Sequence, residues 1–308
     1  MTGSKFWPLD VTYYVTFDER QHDRQFLFHL LSILDLPGMA KGVKPGLNRN
    51  DVYAARVRIP PLPEQQRIVS ILDEAFAGIA TARANAQTNL ENARALFASH
   101  LEALIAHAWA ESETVTLESI ATDITDGDHM PPPKSDTGVP FITIGNINKA
   151  TRTIDFRNTF MVPERYFHAL KPSKRPRKGD VLYTVTGSFG IPVLINEEEP
   201  FCFQRHIGLI RPSEDTDSTW LYFLLSSPQV FRQADAKATG AAQRTVSLKV
   251  LRNIKVPKVK RTRQEVLAKR LGDVLHQSQR LEAMYLRKLE ALDALKQSLL
   301  HQAFSGAL

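Results

Sequence analysis

The residue types in this sequence that could do chemistry are mostly basic and amide side chains in turn-rich stretches. Gln204, Arg205 and His206 stand together in FCFQRHIGLIRP, and Gln243 and Arg244 in GAAQRT. A guanidinium or carboxamide on a protruding loop can pair with the major-groove edge of guanine or adenine, so both groups are candidate base readers. Lys134, Lys149, Lys171, Lys174 and Arg175 also fall in loops, and Ser188 lies among the glycines of TGSFG. Loop cations neutralise phosphates without desolvating a core. For the run 171–178, phosphate contact ranks ahead of base readout, with a plain solvated loop as the alternative to both.

Enzyme chemistry finds little support. No G-x-G-x-x-G and no G-x-x-x-x-G-K-[ST] occurs, and PPPK at 131–134 lacks the Asn or Asp and the aromatic that an amino-methyltransferase motif needs. Asp126, Asp128 and His129 form a compact group in TDGDH, where Asx-turn chemistry is the expected use rather than metal binding. The nine histidines show no metal-ligand spacing. Ser188 lacks the G-x-S-x-G register of a nucleophile elbow. No catalytic residue and no metal site is expected in this chain.

The elements that must position the basic loops lie between residues 114 and 257. Short β-rich runs at 115–124, 139–147, 181–187, 191–195 and 201–212 are bounded by Gly, Pro, Asp and Asn. WLYFLL at 220–225 lacks strand character, and 226–238 has helical spacing that stops at Gly240. PPPK and KPSKRPRKGD at 171–180 are loops, because successive prolines remove ladder donors.

An internal repeat organises the rest. FLFHLLS at 26–32 resembles WLYFLLS at 220–226, and NRNDVYAARVRIP at 48–60 resembles VSLKVLRNIKVP at 246–257. Each block precedes a long helical segment, so the repeat is a duplicated domain plus its following helix, much shorter at the start of copy one. The first helix, from Glu64 to about His107, carries the stripe Ile68, Leu72, Ala75, Ile79, Ala82, Ala86, Asn89, Ala93, Leu96, His100. The second carries Leu267, Leu271, Val274, Ser278, Leu281, Tyr285, Lys288, Leu292, Leu295, Leu299. Both follow a 3.5-residue period, alanine-rich against leucine-rich, which predicts a closely packed antiparallel pair; the alternative is that each is the long edge of a bundle. His100 and Lys288 are expected as tolerated polar positions in the seam.

Length and charge bound these readings. The 308 residues suffice for two compact units, and the net charge of +6 divides into +2 over 1–60, −4 over 61–113, +3 over 114–257 and +5 over 258–308. No stretch approaches the roughly 18 apolar residues of a membrane span. The first residues have no secretory pattern, and the lone Cys202 allows no disulfide, so a cytoplasmic, membrane-free protein is expected.

TDGDHMPPPKSDTGVPFITIGNI at 125–147, RKGDVLYTVTGSFG at 177–190, the PLPEQQRIVSILD entry into the first helix and SLKVLRNIKVP with its closing helix together resemble the specificity subunits of type I restriction-modification systems. The resemblance spans the chain. It implies an α+β architecture, with a mixed α/β target-recognition domain at 114–257. Spacer helices at 61–113 and 258–308 would pack antiparallel, and 1–60 would be the C-terminal remnant of a first recognition domain. It further implies a non-catalytic subunit that binds a split target in double-stranded DNA and docks two methylation subunits and the restriction subunits. S-adenosylmethionine, Mg and ATP would belong to those partners. The short front end departs from the family pattern, and would leave Phe6, Trp7, Val11, Tyr13, Tyr14 and Val15 uncovered. A half-type chain that pairs with a second copy of itself is one reading of that departure.

Overall fold

The computed structural model describes residues 13–41, 46–130, 132–241 and 243–308. In chain order the elements are α1 (Arg24–Ile33), α2 (Arg49–Tyr53), α3 (Leu62–Glu111), β1 (Thr114–Thr116), β2 (Ala121–Asp126), β3 (Val139–Ile142), β4 (Ile147–Asn148), β5 (Thr153–Ile154), β6 (Phe160–Val162), α4 (Glu164–Ala169), β7 (Val181–Thr184), β8 (Pro192–Leu194), β9 (Cys202–Phe203), β10 (Ile207–Pro212), α5 (Ser218–Leu225), α6 (Pro228–Lys237), α7 (Leu248–Arg252), β11 (Lys255–Pro257) and α8 (Arg261–Ser305). They form two compact units, one running to Asn92 and including Leu281–Leu308, the other Ala93–Arg280. Both long helices contribute residues to both units.

In the first unit, Asp23 caps α1 by accepting from the amides of Gln25 and Phe26 at 2.8 and 2.9 Å. The helix then buries Phe26 and Leu30 against Ile68 and Leu72 of α3 and against Leu300 and Ala303 of α8. Phe26 and Phe304 are tilted ring neighbours at 5.0 Å. Within this unit the long helices run antiparallel: Lys296 lies over the Phe76 ring, and Arg83 pairs with Asp293 further along α3.

The second unit repeats that arrangement and adds sheets. Asp217 caps α5 through the Trp220 amide at 2.8 Å, and α5 buries Trp220, Leu221 and Leu224 beside Leu101 and Ile105 of α3 and Leu267 and Leu271 of α8. The helices are antiparallel here too, with Ser278 donating to the Ala93 carbonyl and Arg263 paired with Glu111. A four-stranded antiparallel sheet has the order β2-β10-β7-β8; a three-stranded sheet, β6-β3-β9, pairs β3 with β9 in parallel; and β4-β5 and β1-β11 are two-stranded. All four residues of β7 are buried because its two faces meet different cores. Val181 and Tyr183 face the helical cluster, whereas Leu182 joins Ile142, Phe203 and Leu209.

WLYFLL, expected to lack strand character, is a buried helix, α5, whose all-apolar composition hides the 3.6-residue period. Two expectations change. The run 115–124 is broken by a 3-10 turn at Leu117–Ile120. The seam of α3 does not hold a 3.5-residue repeat: beyond Ala86 it continues through Leu90, Ala93, Leu101, Ile105 and Ala108, which leaves Asn89 and His100 exposed. A straight α-helix drifts about 20° per heptad, and the buried face follows the helix rather than the heptad. Lys288 is likewise outside the seam of α8, and Leu295 is exposed. Tyr13, Tyr14 and Val15 are exposed as expected, while Phe6, Trp7 and Val11 lie outside the described residues. No described helix is long and apolar enough to cross a membrane.

Candidate nucleic-acid interface

Four loops of the second unit converge on one depression of about 300 Å³, whose lining includes Asp126, His129, Thr186, Arg205, His206, Gln243 and Thr245. Backbone pairing brings them together. The loop after β2 meets the β9–β10 turn through Asp128 N to Phe203 O (3.1 Å) and Arg205 N to Asp128 O (3.2 Å). Gly127 permits this approach, since a Cβ there would sit 2.0 Å from the Phe203 carbonyl oxygen. On the other side, Gly187 N donates to Arg244 O (3.0 Å) and Val246 N to Val185 O (2.8 Å), tying TGSFG to the Gln243–Arg244 loop. Gly187 takes φ +71°, a left-handed conformation that favours glycine.

The candidate residues divide by what they touch. The side chains of Gln204, Arg205, His206 and Gln243 have no hydrogen-bond or ion-pair partner among the described residues, and Arg205 and Gln243 are exposed. Burial first, and the Arg205 cation second, pull the His206 imidazole below its ordinary pKa. The neutral ring has one donor and one acceptor to offer. Arg244 is held by Asp235 and lies over the Phe189 ring at 5.5 Å. Lys149 donates to Ser188 Oγ at 2.7 Å, which joins two candidates from different loops.

Other candidates serve the fold. Lys174 donates to Gly127 O at 3.1 Å and stands 3.8 Å from Asp128 and 4.0 Å from Asp126. Arg175 donates to the Leu170 and His168 carbonyls and covers the Phe167 ring. Lys134 lies over Phe160 at 5.1 Å, and Lys171 is exposed in the loop 171–180. That loop is anchored by Arg211, which donates to both carboxylate oxygens of buried Asp180 at 3.0 and 2.8 Å and to the Arg175 carbonyl at 2.9 Å. Burial works against the Arg211 charge, but its bonds to Asp180 prevail and its pKa is raised.

The TDGDH carboxylates have protein partners: Asp126 accepts from His129 at 2.9 Å and Asp128 from the Tyr166 hydroxyl. Among the described residues no group of three or more His, Cys, Asp or Glu could hold a metal. Burial, reinforced by the Asp128 charge, pushes the Cys202 thiol up to about 12. Thr186, Thr245 and His129 line the depression without having been singled out as base contacts; only their place beside glycine-bounded turns pointed to them.

A family model for the type I restriction modification DNA specificity domain matches residues 111–291, more than half of the chain. The chain belongs to this family. The specificity subunit of type I restriction enzyme EcoBI from Escherichia coli is 21% identical over 94% of this chain and 67% of its own length. That of type I restriction enzyme MjaVIII from Methanocaldococcus jannaschii is 25% identical over 82% of this chain and 63% of its own length. This specificity chain thus spans about two thirds of these curated relatives. Its fold is similar to a chain from a type I R-M system solved for complex assembly and conformational transition, with a TM-score of 0.73 at 23% identity over 92% of this chain and 71% of that one. It is similar also to the HsdS subunit from Thermoanaerobacter tengcongensis, with a TM-score of 0.63 at 23% identity over 94% and 71%.

Proposed function

We propose that this chain is the DNA-recognising, non-catalytic specificity component of a type I restriction-modification assembly. The depression built by four loops of residues 114–257 reads one half of a split double-stranded target. Arg205, Gln204, His206 and Gln243 address base edges, and Lys149 and the exposed Lys171 lie along phosphates. The helices α3 and α8 serve as the spacer and, with adjoining surfaces, dock two methylation subunits and the restriction subunits; S-adenosylmethionine, Mg and ATP reside in those partners. The observation that carries this reading is the convergence of Arg205 and Gln243, unpartnered among the described residues, on loops tied together by backbone bonds. Unspent donors on a fixed frame are what base readout requires. Exchanging residues 114–257 for those of a relative, in a reconstituted methylation complex, should change one half of the modified sequence and leave the other. Altered specificity in both halves, or in neither, overturns it.

A second reading is favoured by the first unit. Tyr14 and Tyr53 are each 74% exposed, and Val57 and Ile59 are exposed where the aligned Ile254 and Val256 are buried. On that reading the chain is a half subunit that acts as a protein scaffold or needs a second copy to complete DNA recognition. Light scattering with and without a split-target duplex separates the two: a monomer that binds DNA supports the first, a dimer that alone binds DNA supports the second.

A further inference from the structure

We propose that Met130 reads the 5-methyl group of a thymine in the major groove, an inference that rests on the DNA-recognition reading above. Met130 is 78% exposed, the most open of the large apolar side chains among the described residues. The segment that leads into it is held in place. Residues 126–129 just before it are tied at several points: Asp128 N to Phe203 O, Arg205 N to Asp128 O, Lys174 Nζ to Gly127 O, and the Asp128 carboxylate to Tyr166. His129, the residue before it, donates to Asp126 and lines the same depression as Arg205 and Gln243. A thioether left in water directly after that tied segment gains nothing for the fold, because apolar area stabilises only when it leaves water.

The neighbours decide what it meets. Arg205 and Gln243 offer the donor forks that match guanine and adenine in the major groove, and the thymine methyl is the one apolar group on that edge. A flexible, polarisable methionine on the loop whose Asp128 carbonyl accepts from Arg205 N would be desolvated against that methyl as the polar groups pair. An apolar wedge between base steps belongs instead to minor-groove binding, where the readout is degenerate and the duplex kinks.

The test takes the full chain, selects its target from a randomised duplex library, and then replaces each thymine of the selected site in turn by deoxyuridine, which removes only the methyl. For the wild type, one replacement should weaken binding about fourfold, the worth of one methyl group leaving water. Met130→Ala should lose that sensitivity while keeping its response to every other replacement, and Met130→Leu should retain part of it. Because the side chain is exposed, both variants should melt like the wild type. A selected site without thymine, an unchanged methyl response in Met130→Ala, or a Met130-dependent kink reported by 2-aminopurine overturns the proposal. Absence of salt-dependent binding by the wild type to any duplex instead overturns the DNA-recognition reading itself.

Discussion

Gln65 and Gln264 make the same three hydrogen bonds in the two units. Gln65 accepts from Asp23 N (2.8 Å) and donates to the carbonyls of Gln21 (3.0 Å) and Pro60 (2.8 Å). Gln264 accepts from Asp217 N (2.7 Å) and donates to those of Asp215 (3.1 Å) and Val259 (2.7 Å). Each amide is buried and clamps the start of a long helix to the capped end of the short helix packed on it. In both units the next inward residues, Ile68 and Leu72 or Leu267 and Leu271, are core.

Replacing either glutamine by alanine leaves one amide and two carbonyls without partners, at a cost of about 1–3 kcal/mol for each buried group left unsatisfied. Gln65→Ala should speed hydrogen exchange of amides in α1, and Gln264→Ala those in α5. Uniform loss of protection in either variant would contradict a local clamp.

Arg211→Met should destabilise the second unit by about 3–5 kcal/mol, because it strands the buried Asp180 carboxylate. Adding Asp180→Leu should restore much of the loss. Urea denaturation of the single and double variants measures both, and a double variant as weak as Arg211→Met alone would count against a buried pair.

His29 gives the first unit an acid sensitivity. Burial pulls its pKa down, Asp73 at 3.9 Å opposes this, Lys296 adds to the lowering and Asp23 works against it. The folded state therefore binds its proton less readily than the unfolded chain, whose imidazole titrates near pH 6.5. His29's contribution is complete above about pH 6.5 and is lost as pH falls through the lowered folded value. The aligned residue in the second unit is Phe223. His29→Phe should flatten the fall in melting temperature between pH 7 and 5; an unchanged pH profile would show that other groups set it.

Arg205→Ala should weaken target binding about 10- to 100-fold, the worth of one bidentate base contact. Arg244 is held by Asp235, so Arg244→Ala should weaken target binding by loosening its loop, and Asp235→Ala should reproduce part of that loss. Fluorescence anisotropy at several salt concentrations checks this. Equal affinities for wild type and Arg205→Ala would remove Arg205 from the interface.

The repeat, the long helices and the basic loops could be read from the sequence because they rest on periodicity, proline and glycine. The clamp could not: Gln65 and its neighbour Gln66 look alike in PEQQ, and only tertiary packing buries one of them. Arg211 was hidden for the same reason, since an arginine near a strand end signals nothing until Asp180 is brought beside it. Asn89 and His100 fit a heptad spacing yet lie on the exposed face, because a straight helix drifts away from a 3.5-residue repeat over this length. Which loops converge depends on the pairing of Asp128 with Gln204 and of Thr186 with Thr245, contacts between residues 59 or more apart that no local signal encodes.

The chain's only thiol, Cys202, is buried in the sheet, and burial pushes its pKa up to about 12. Alkylating reagents that act on thiolates at neutral pH therefore meet a silent background in the folded protein. A single cysteine introduced at exposed Ser188 or Gln243 would carry a fluorophore or cross-linker alone, with no native residue to be removed first.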